Sequence, residues 1–600
     1  MQFAKSSRLT KLKLAFLLLV SLVTSCGGGG GTVAPVSVAV PSSALVISEI
    51  STCFSSNIDC WFEIYNRSGA TVNLSNYSIQ STSVSVLGGA LSTSTFSLPS
   101  LNIPAASYVV VSGNSKNSVQ RGAQKILLRT GNVVPFWLSN GFVEILLNGS
   151  TSDFVSFGSS TQTPVTENYW SGQPVTALPS SALDYGKSIV RPWPKTADTN
   201  TRSAADWIRV DWVTPGGRND VPAGTLDADG DGIPDSAEVV GGTFAGIDLY
   251  AMGARTGRKD IFIEIDSMSS VDPGIVPRAE SLQMVVDRFA AHGIAIHFDA
   301  GTKFSFGFSA SNFNLGQGSS VVAYEPCVTM DQTTCSSNVS DKRSIYDWKD
   351  ENMDLSRRSI FHYLLFGNSQ FANGSKSSSG LAELVGNDLI VTLGNWGLTA
   401  TAGTSLNRLI NYQASTIMHE LGHNLGLKHG GNEDTNYKPN YWSIMNYMYQ
   451  LSGLDPNPAS LTAYQRWRLH IGDKTPLECA LVGSPCGDKA QFTMDFSDGS
   501  SSALDESNLL EASNIGRGIT VGAYADWNMN GALNVSSQSI DLNGDGSRTV
   551  LNDYNDWGNL VLPFTRQFNG NSGISLISKP TKLLNPISDD RQNTAIETPP

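Results

Sequence analysis

His419-Glu420-Leu421-Gly422-His423-Asn424-Leu425-Gly426-Leu427-Lys428-His429 is the stretch that decides how the rest of the chain is read. On a helix, residues four apart share a face, so His419 and His423 can present two imidazoles to one metal ion. Ile417, Leu421 and Leu425 form a second four-spaced row able to bury against a fold. Glu420 is turned about 100° from His419, which sets it beside the metal rather than on it, where a base for an attacking water belongs. Gly426 permits a sharp exit from the helix, and the turn returns His429 as a third nitrogen ligand. Three protein ligands leave one position open, the pattern of a catalytic zinc site. A bare H-E-x-x-H arises by chance on ordinary helices. Here, however, three of the chain's seven histidines stand at ligand spacing within one short string.

The full string resembles the metzincin metalloproteases. That clan carries a Met-turn beneath the zinc, and Ser443-Ile444-Met445-Asn446-Tyr447 follows shortly after His429. The resemblance implies that Met445 packs under the three histidines. It also implies that Tyr447 approaches the metal and stabilises the transition state. The expected activity is zinc-dependent endopeptidase, with Glu420 as general base for a zinc-activated water. By the same resemblance, residues 389–393 are expected to be the edge strand that receives an extended peptide. The rival reading is a calcium-stabilised adhesion or binding lipoprotein whose protease fold is inactive or incidental.

Upstream lies Asp227-Ala228-Asp229-Gly230-Asp231-Gly232-Ile233-Pro234-Asp235-Ser236-Ala237-Glu238. Carboxylates at loop positions 1, 3, 5, 9 and 12, with glycine at 6, have the ligand spacing of an EF-hand-type calcium loop, and Ile233 would add its carbonyl. A solvated acidic turn is the plainer alternative. Asp526-Trp527-Asn528-Met529-Asn530-Gly531 and Asp541-Leu542-Asn543-Gly544-Asp545-Gly546 repeat the start of such a loop. Neither has an acid at position 12, where Ser537 and Asn552 stand. Asp541, Asn543 and Asp545 are the favoured calcium ligands of this pair, and the two segments are equally able to form one joint site.

The 600 residues exceed one core, since domains run to about 100–200 residues. Hydrophobic residues make up 40 % and charged ones 16 %, adequate for globular cores, and the net charge of −13 argues against nucleic-acid binding. From residue 44, short alternating segments separated by Gly, Asn and Ser clusters predict a β-sandwich. Val46-Ile47-Ser48-Glu49-Ile50, Trp61-Phe62-Glu63-Ile64-Tyr65-Asn66-Arg67-Ser68-Gly69 and a closing Thr214-Pro215-Gly216-Gly217-Arg218-Asn219 resemble a lamin-tail domain, an immunoglobulin-like sandwich. The remainder reads as α/β: a strand at 259–266, helices at 277–291, 350–366 and 406–425, and strands at 294–298 and 389–393.

At the start, Lys5, Arg8, Lys11 and Lys13 precede an apolar run at 14–23 that ends at Val23-Thr24-Ser25-Cys26, which looks like a bacterial lipobox. The run is too short to span a bilayer comfortably. Lipidation of Cys26 would anchor an exported protein at the outer membrane or cell surface, on the Gly/Pro/Ser tether 27–43. The other six cysteines fall into the local pairs Cys53–Cys60, Cys327–Cys335 and Cys479–Cys486, as an oxidising compartment favours, although sequence alone does not choose the connectivity. The expected organisation is therefore multidomain: a signal peptide at 1–26, the tether at 27–43, an all-β immunoglobulin-like sandwich at 44–220, a calcium-binding linker at 221–245, an α/β (α+β) metzincin-like protease at 246–570 and a polar tail at 571–600. Zinc and calcium are the expected cofactors, and proteins or peptides the expected substrates.

Overall fold

The computed structural model describes residues 43–563, apart from 52–59, 85–90, 114–117, 122–124, 131–136, 138, 179–185, 196–201, 304–312, 317, 331–334, 336–342, 455–485, 491, 514–523 and 529. Cys26 and the rest of 1–42 lie outside the described residues, as do Cys53 and Cys479. Cys327–Cys335 is a disulfide with Cα atoms 5.4 Å apart. Cys60 and Cys486 are also disulfide-bonded.

The alternating N-terminal segments form two sheets. One has seven strands, in the order Ile208–Val210, Ser188–Val190, Leu45–Ser51, Trp61–Asn66, Tyr108–Ser112, Lys125–Arg129, Val119–Arg121. The other has four: Ser150–Phe157, Gly141–Leu147, Tyr77–Val84, Leu91–Ser97. Alternate residues face inward, so Ile47, Phe62, Ile64 and Val109 meet Ile79, Val143, Ile145 and Val155 in one core. The intervening Glu49 and Glu63 point the other way and are fully buried. They hold the closing loop: Glu49 accepts from Thr214 Oγ1 (3.1 Å) and Glu63 from the Gly216 N–H (2.6 Å). The two glutamates in the quoted strand motifs thus have a structural purpose.

The second region is built on a sheet of six strands. β1 (Lys259–Met268), β2 (Ile294–Asp299), β3 (Phe361–Phe366), β4 (Gly380–Ala382) and β5 (Asp388–Val391) lie in the order β2-β1-β3-β5-β4, and Val321–Val322 pairs with the end of β1. Every pairing is parallel except β4 with β5. Helices α1 (Ala279–Ala290) and α3 (Thr404–Asn424) cover one face. There Leu282, Val285 and Phe289 of α1 and Ile417, Met418 and Leu421 of α3 pack on Ile263, Leu364, Leu389 and Val391. Helix α2 (Ile345–Asn352) lies on the other face, with Trp348 against Phe262, Phe361 and Ile390. Ile233, Ala237 and Phe244 join this second core, so the stretch read as a linker packs under the sheet.

Two expectations change. Residues 350–366 are not one helix: α2 ends at Asn352, and 361–366 is strand β3. All six β3 residues are buried, and a strand covered on both faces carries no alternation, so its apolar run mimics helical spacing. Nor is 389–393 at the edge. β5 has β3 on one side and β4 on the other, which makes the antiparallel β4 the edge strand.

The sandwich and the α/β region share an apolar contact of Trp61, Val110, Leu127, Val213 and Leu355. Beside it, Asp350 of α2 takes Arg129 of the sandwich on one oxygen (2.5 Å) and Arg358 on the other (2.7 Å).

Candidate active site

Helix α3 carries His419, Glu420 and His423, with His419 fully buried and Glu420 2 % exposed. The helix ends where Gly426 adopts φ +94°, its N–H bonded to the carbonyl of His423 and that of Leu427 to Gly422. The reversal brings His429 back. Its ring centroid lies 4.9 Å from that of His423 and 5.4 Å from that of His419. One nitrogen from each histidine falls within 4.8 Å of the others.

The tautomers follow from the partners. His419 Nδ1 lies 2.7 Å from the carbonyl of Ile444, and His423 Nδ1 2.7 Å from that of Leu427. A carbonyl only accepts, so each Nδ1 carries the proton and each Nε2 keeps its lone pair. The Nε2 of His429 is buried without a hydrogen-bond partner. Burial lowers the pKa of His419 to about 4 and of His423 to about 3, and pulls His429 down as well. Three neutral imidazoles are thus held with one nitrogen of each close together, a donor set that fits zinc.

Met445 is fully buried and packs against this helix at Gly422. A Cβ on Gly422 would collide with Met445 Sδ and come within 3.0 Å of the Phe496 ring. The glycine between the two helical histidines is therefore what admits the methionine. Gly422→Ala is expected to cost about 1–3 kcal/mol of stability by overpacking, seen as a lowered urea midpoint. Tyr447 places its ring 4.2 Å from that of His429 and 5.8 Å from that of His419. Its N–H donates to Asn436 Oδ1 (3.0 Å). Asp556, from beyond the Met-turn, accepts from Tyr441 Oη at 2.9 Å, and burial raises its pKa to about 7.

Glu420 lies against the edge strand. A Cβ on Gly380 would stand 2.5 Å from Glu420 Oε1, so β4 passes directly over the carboxylate. Asn424, one helical turn on, donates to the carbonyls of Glu383 and Asp388 (3.0 Å each) and faces His362 Nδ1 through Oδ1 (3.1 Å). It ties the end of α3 to β3 and β5. Sequence reasoning missed Gly380, Gly422 and Asn424, although the last two lie inside the quoted string.

A second cluster joins Asp227, Asp229 and Asp231, and an overlapping one joins Asp231, Glu238 and Asp260. Asp227 accepts from the N–H groups of Gly230 (2.8 Å) and Gly232 (2.9 Å). Asp235 instead caps Ala228 N–H (2.9 Å), and Ile233 is buried with its N–H on Asp231. Glu238 is 1 % exposed, and both its oxygens lack hydrogen-bond partners, as does Asp229 Oδ1. Burial, helped by neighbouring carboxylates, raises Asp231 to about 9 and Glu238 to about 8. Asp260, on β1, was not foreseen; it also meets His297 (2.6 Å) and Arg258. Asp541, Asn543 and Asp545 sit in a third loop, where Asp541 accepts from Gly544 (2.7 Å) and Gly546 (2.9 Å). Asp545 is exposed and Asn543 half-buried, and no third acid or histidine joins Asp541 and Asp545 among the described residues.

None of the curated proteins compared matches the chain. Residues 39–159 match the Lamin Tail Domain family model. Residues 280–450, which hold the three histidines, Glu420, Met445 and Tyr447, match the model of the gametolysin peptidase M11 family, which supports a metalloprotease.

Proposed function

We propose that the chain is an exported, membrane-anchored zinc endopeptidase of the metzincin type that hydrolyses peptide bonds of extracytoplasmic proteins. One observation carries the reading: two buried imidazoles, His419 and His429, and the half-buried His423 converge beside Glu420 and under the edge strand, inside the peptidase match. His419, His423 and His429 would hold the ion. Bound zinc supplies a Lewis acid that lowers the pKa of water to about 7. Glu420 accepts the proton of the attacking water and passes it to the leaving amine. Tyr447 offers its phenol to the developing oxyanion. Packing of Met445 under α3 and the carbonyl of Ile444 on His419 keep the ligands in register.

Export and anchoring rest on the basic start, the apolar run at 14–23 and Cys26, with the Cys327–Cys335 disulfide in agreement. Among the described residues no helix is long and apolar enough to cross a membrane. Calcium at Asp227, Asp229, Asp231 and Glu238 is supported by the partnerless oxygens of Glu238 and Asp229. The adhesion alternative is not favoured, because the base and all three ligands are intact. Chelation is expected to stop cleavage of an unfolded protein such as casein, and zinc to restore it. His429→Ala is expected to lose the bound zinc by metal analysis. A variant that keeps stoichiometric zinc would remove His429 from the ligand set.

A further inference from the structure

Past the peptidase match, Leu504, Leu509, Trp527, Leu542 and Leu551 build a small core on Trp442, Met448 and Tyr449, which flank Met445 on both sides. The loop that starts at Asp526 belongs to this core. Asp526 is fully buried and accepts from the N–H groups of Asn530 (3.0 Å) and Gly531 (2.7 Å), as Asp227 does in the first loop. Asn528 and Asn530 occupy the third and fifth positions and Asn534 the ninth. The acid missing from position 12 comes from elsewhere in the chain. Glu511 is fully buried, and its Oε2 accepts from the Asn534 N–H (2.6 Å). Its Oε1 is buried with no hydrogen-bond partner. An ionised carboxylate held that way is costly unless a cation faces it.

The amides around it conflict in the same place. The side-chain oxygen of Asn534 faces the carbonyl oxygen of Ala532 and Glu511 Oε2, each 3.2 Å away. Turning that amide over satisfies these two but sets its nitrogen against the amide nitrogens of Asn530 (2.9 Å) and Asn528 (3.2 Å). No orientation of Asn534 alone satisfies every neighbour. A cation set between Asn534 Oδ1, Glu511 and Asp526 would turn these facing oxygens from a conflict into a ligand set, with the Asn528 and Asn530 side-chain oxygens as further donors on the same loop. The donors are then all hard oxygens on a loop of varied geometry, which suits calcium rather than zinc, or magnesium with its strict octahedron.

We propose that Asp526, Asn528, Asn530, Asn534 and Glu511 form a calcium site that fastens the segment beyond the peptidase match onto the flanks of the Met-turn. The neighbouring loop at Asp541 carries no such inference. Its counterpart glutamate, Glu506, has both oxygens taken by the N–H groups of Leu542 (2.5 Å) and Thr549 (2.9 Å).

The test uses the full chain and Tb³⁺, a luminescent calcium mimic excited through a nearby indole, alongside equilibrium dialysis with Ca²⁺ alone. Trp527 lies within the proposed loop, and Trp212 donates to Gly232 (2.9 Å) in the first loop. Glu511→Gln is expected to lose one bound calcium per chain and the Tb³⁺ emission that depends on Trp527. That share of the emission is defined by Trp527→Phe. Glu238→Gln should leave the Trp527-dependent emission in place. Because Glu511 is buried, Asn530→Ala, an exposed change, provides a variant that folds, and a several-fold weakening of the same signal is expected. Calcium should raise the melting temperature of the wild-type chain more than that of Glu511→Gln. Unchanged calcium stoichiometry and unchanged Trp527-dependent emission in both variants would overturn the site. Neither readout depends on proteolysis, so failure here is distinguishable from failure of the peptidase reading.

Discussion

Glu420→Ala is expected to lower peptide cleavage by about 10²–10⁴-fold or more while leaving bound zinc and the melting temperature nearly unchanged. The size follows from what the carboxylate does. It is 2 % exposed and lies between the helix that carries two of the histidines and the edge strand at Gly380. It is not among the three converging ligands, so its removal leaves their nitrogens in place. Glu420→Gln keeps the volume and removes the base, and is expected to lose activity to a similar degree. Steady-state cleavage of a quenched peptide and metal analysis of the same preparations decide the matter. Undiminished proteolysis would sink the assignment of the base. Loss of zinc together with activity would instead make Glu420 part of the ligand scaffold.

The site was legible where it is local in sequence. Helical spacing alone brings His419, Glu420 and His423 together, and Gly426 announced the reversal that returns His429. The aspartates at 227, 229 and 231 also converge from their spacing alone. What stayed hidden depends on distant segments meeting. Asp260 reaches the first acidic loop only because β1 runs beside it, and Glu511 reaches the Asp526 loop only through the small core at Trp527. No spacing rule anticipates either. The misread strand β3 has a different cause: a strand buried on both faces has no polar face to set its period. Once that segment is a strand, β5 gains a neighbour on each side and the edge passes to β4.

Asp350→Ala is expected to destabilise the folded chain by about 3–5 kcal/mol, the cost of stripping the shared partner from buried ions. The side chain of Arg129 is 0 % exposed, that of Arg358 5 % and that of Asp350 itself 7 %. Two guanidiniums would thus lose one carboxylate in a place that water reaches poorly. Arg129 belongs to the sandwich and the other two to the α/β region, so the loss falls on the contact at Trp61, Leu127 and Leu355. Next to Asp350, Lys349 pairs with Asp388 (2.7 Å), whose carbonyl accepts from Asn424 at the end of the histidine helix. The sandwich is therefore wired to the frame behind the active site, and is more than a tethered accessory. Urea unfolding followed by tryptophan fluorescence should show the fall. Arg129→Met combined with Asp350→Ala should cost less than the two single changes added together, because both changes break the same Arg129–Asp350 pair, which the double variant loses only once. A loss under about 1 kcal/mol would place the pair with solvent-exposed ion pairs and dissolve the argument for rigid docking. Below its melting transition the variant should still cleave peptides at near the wild-type rate, since Asp350 holds the scaffold and touches neither Glu420 nor the three histidines.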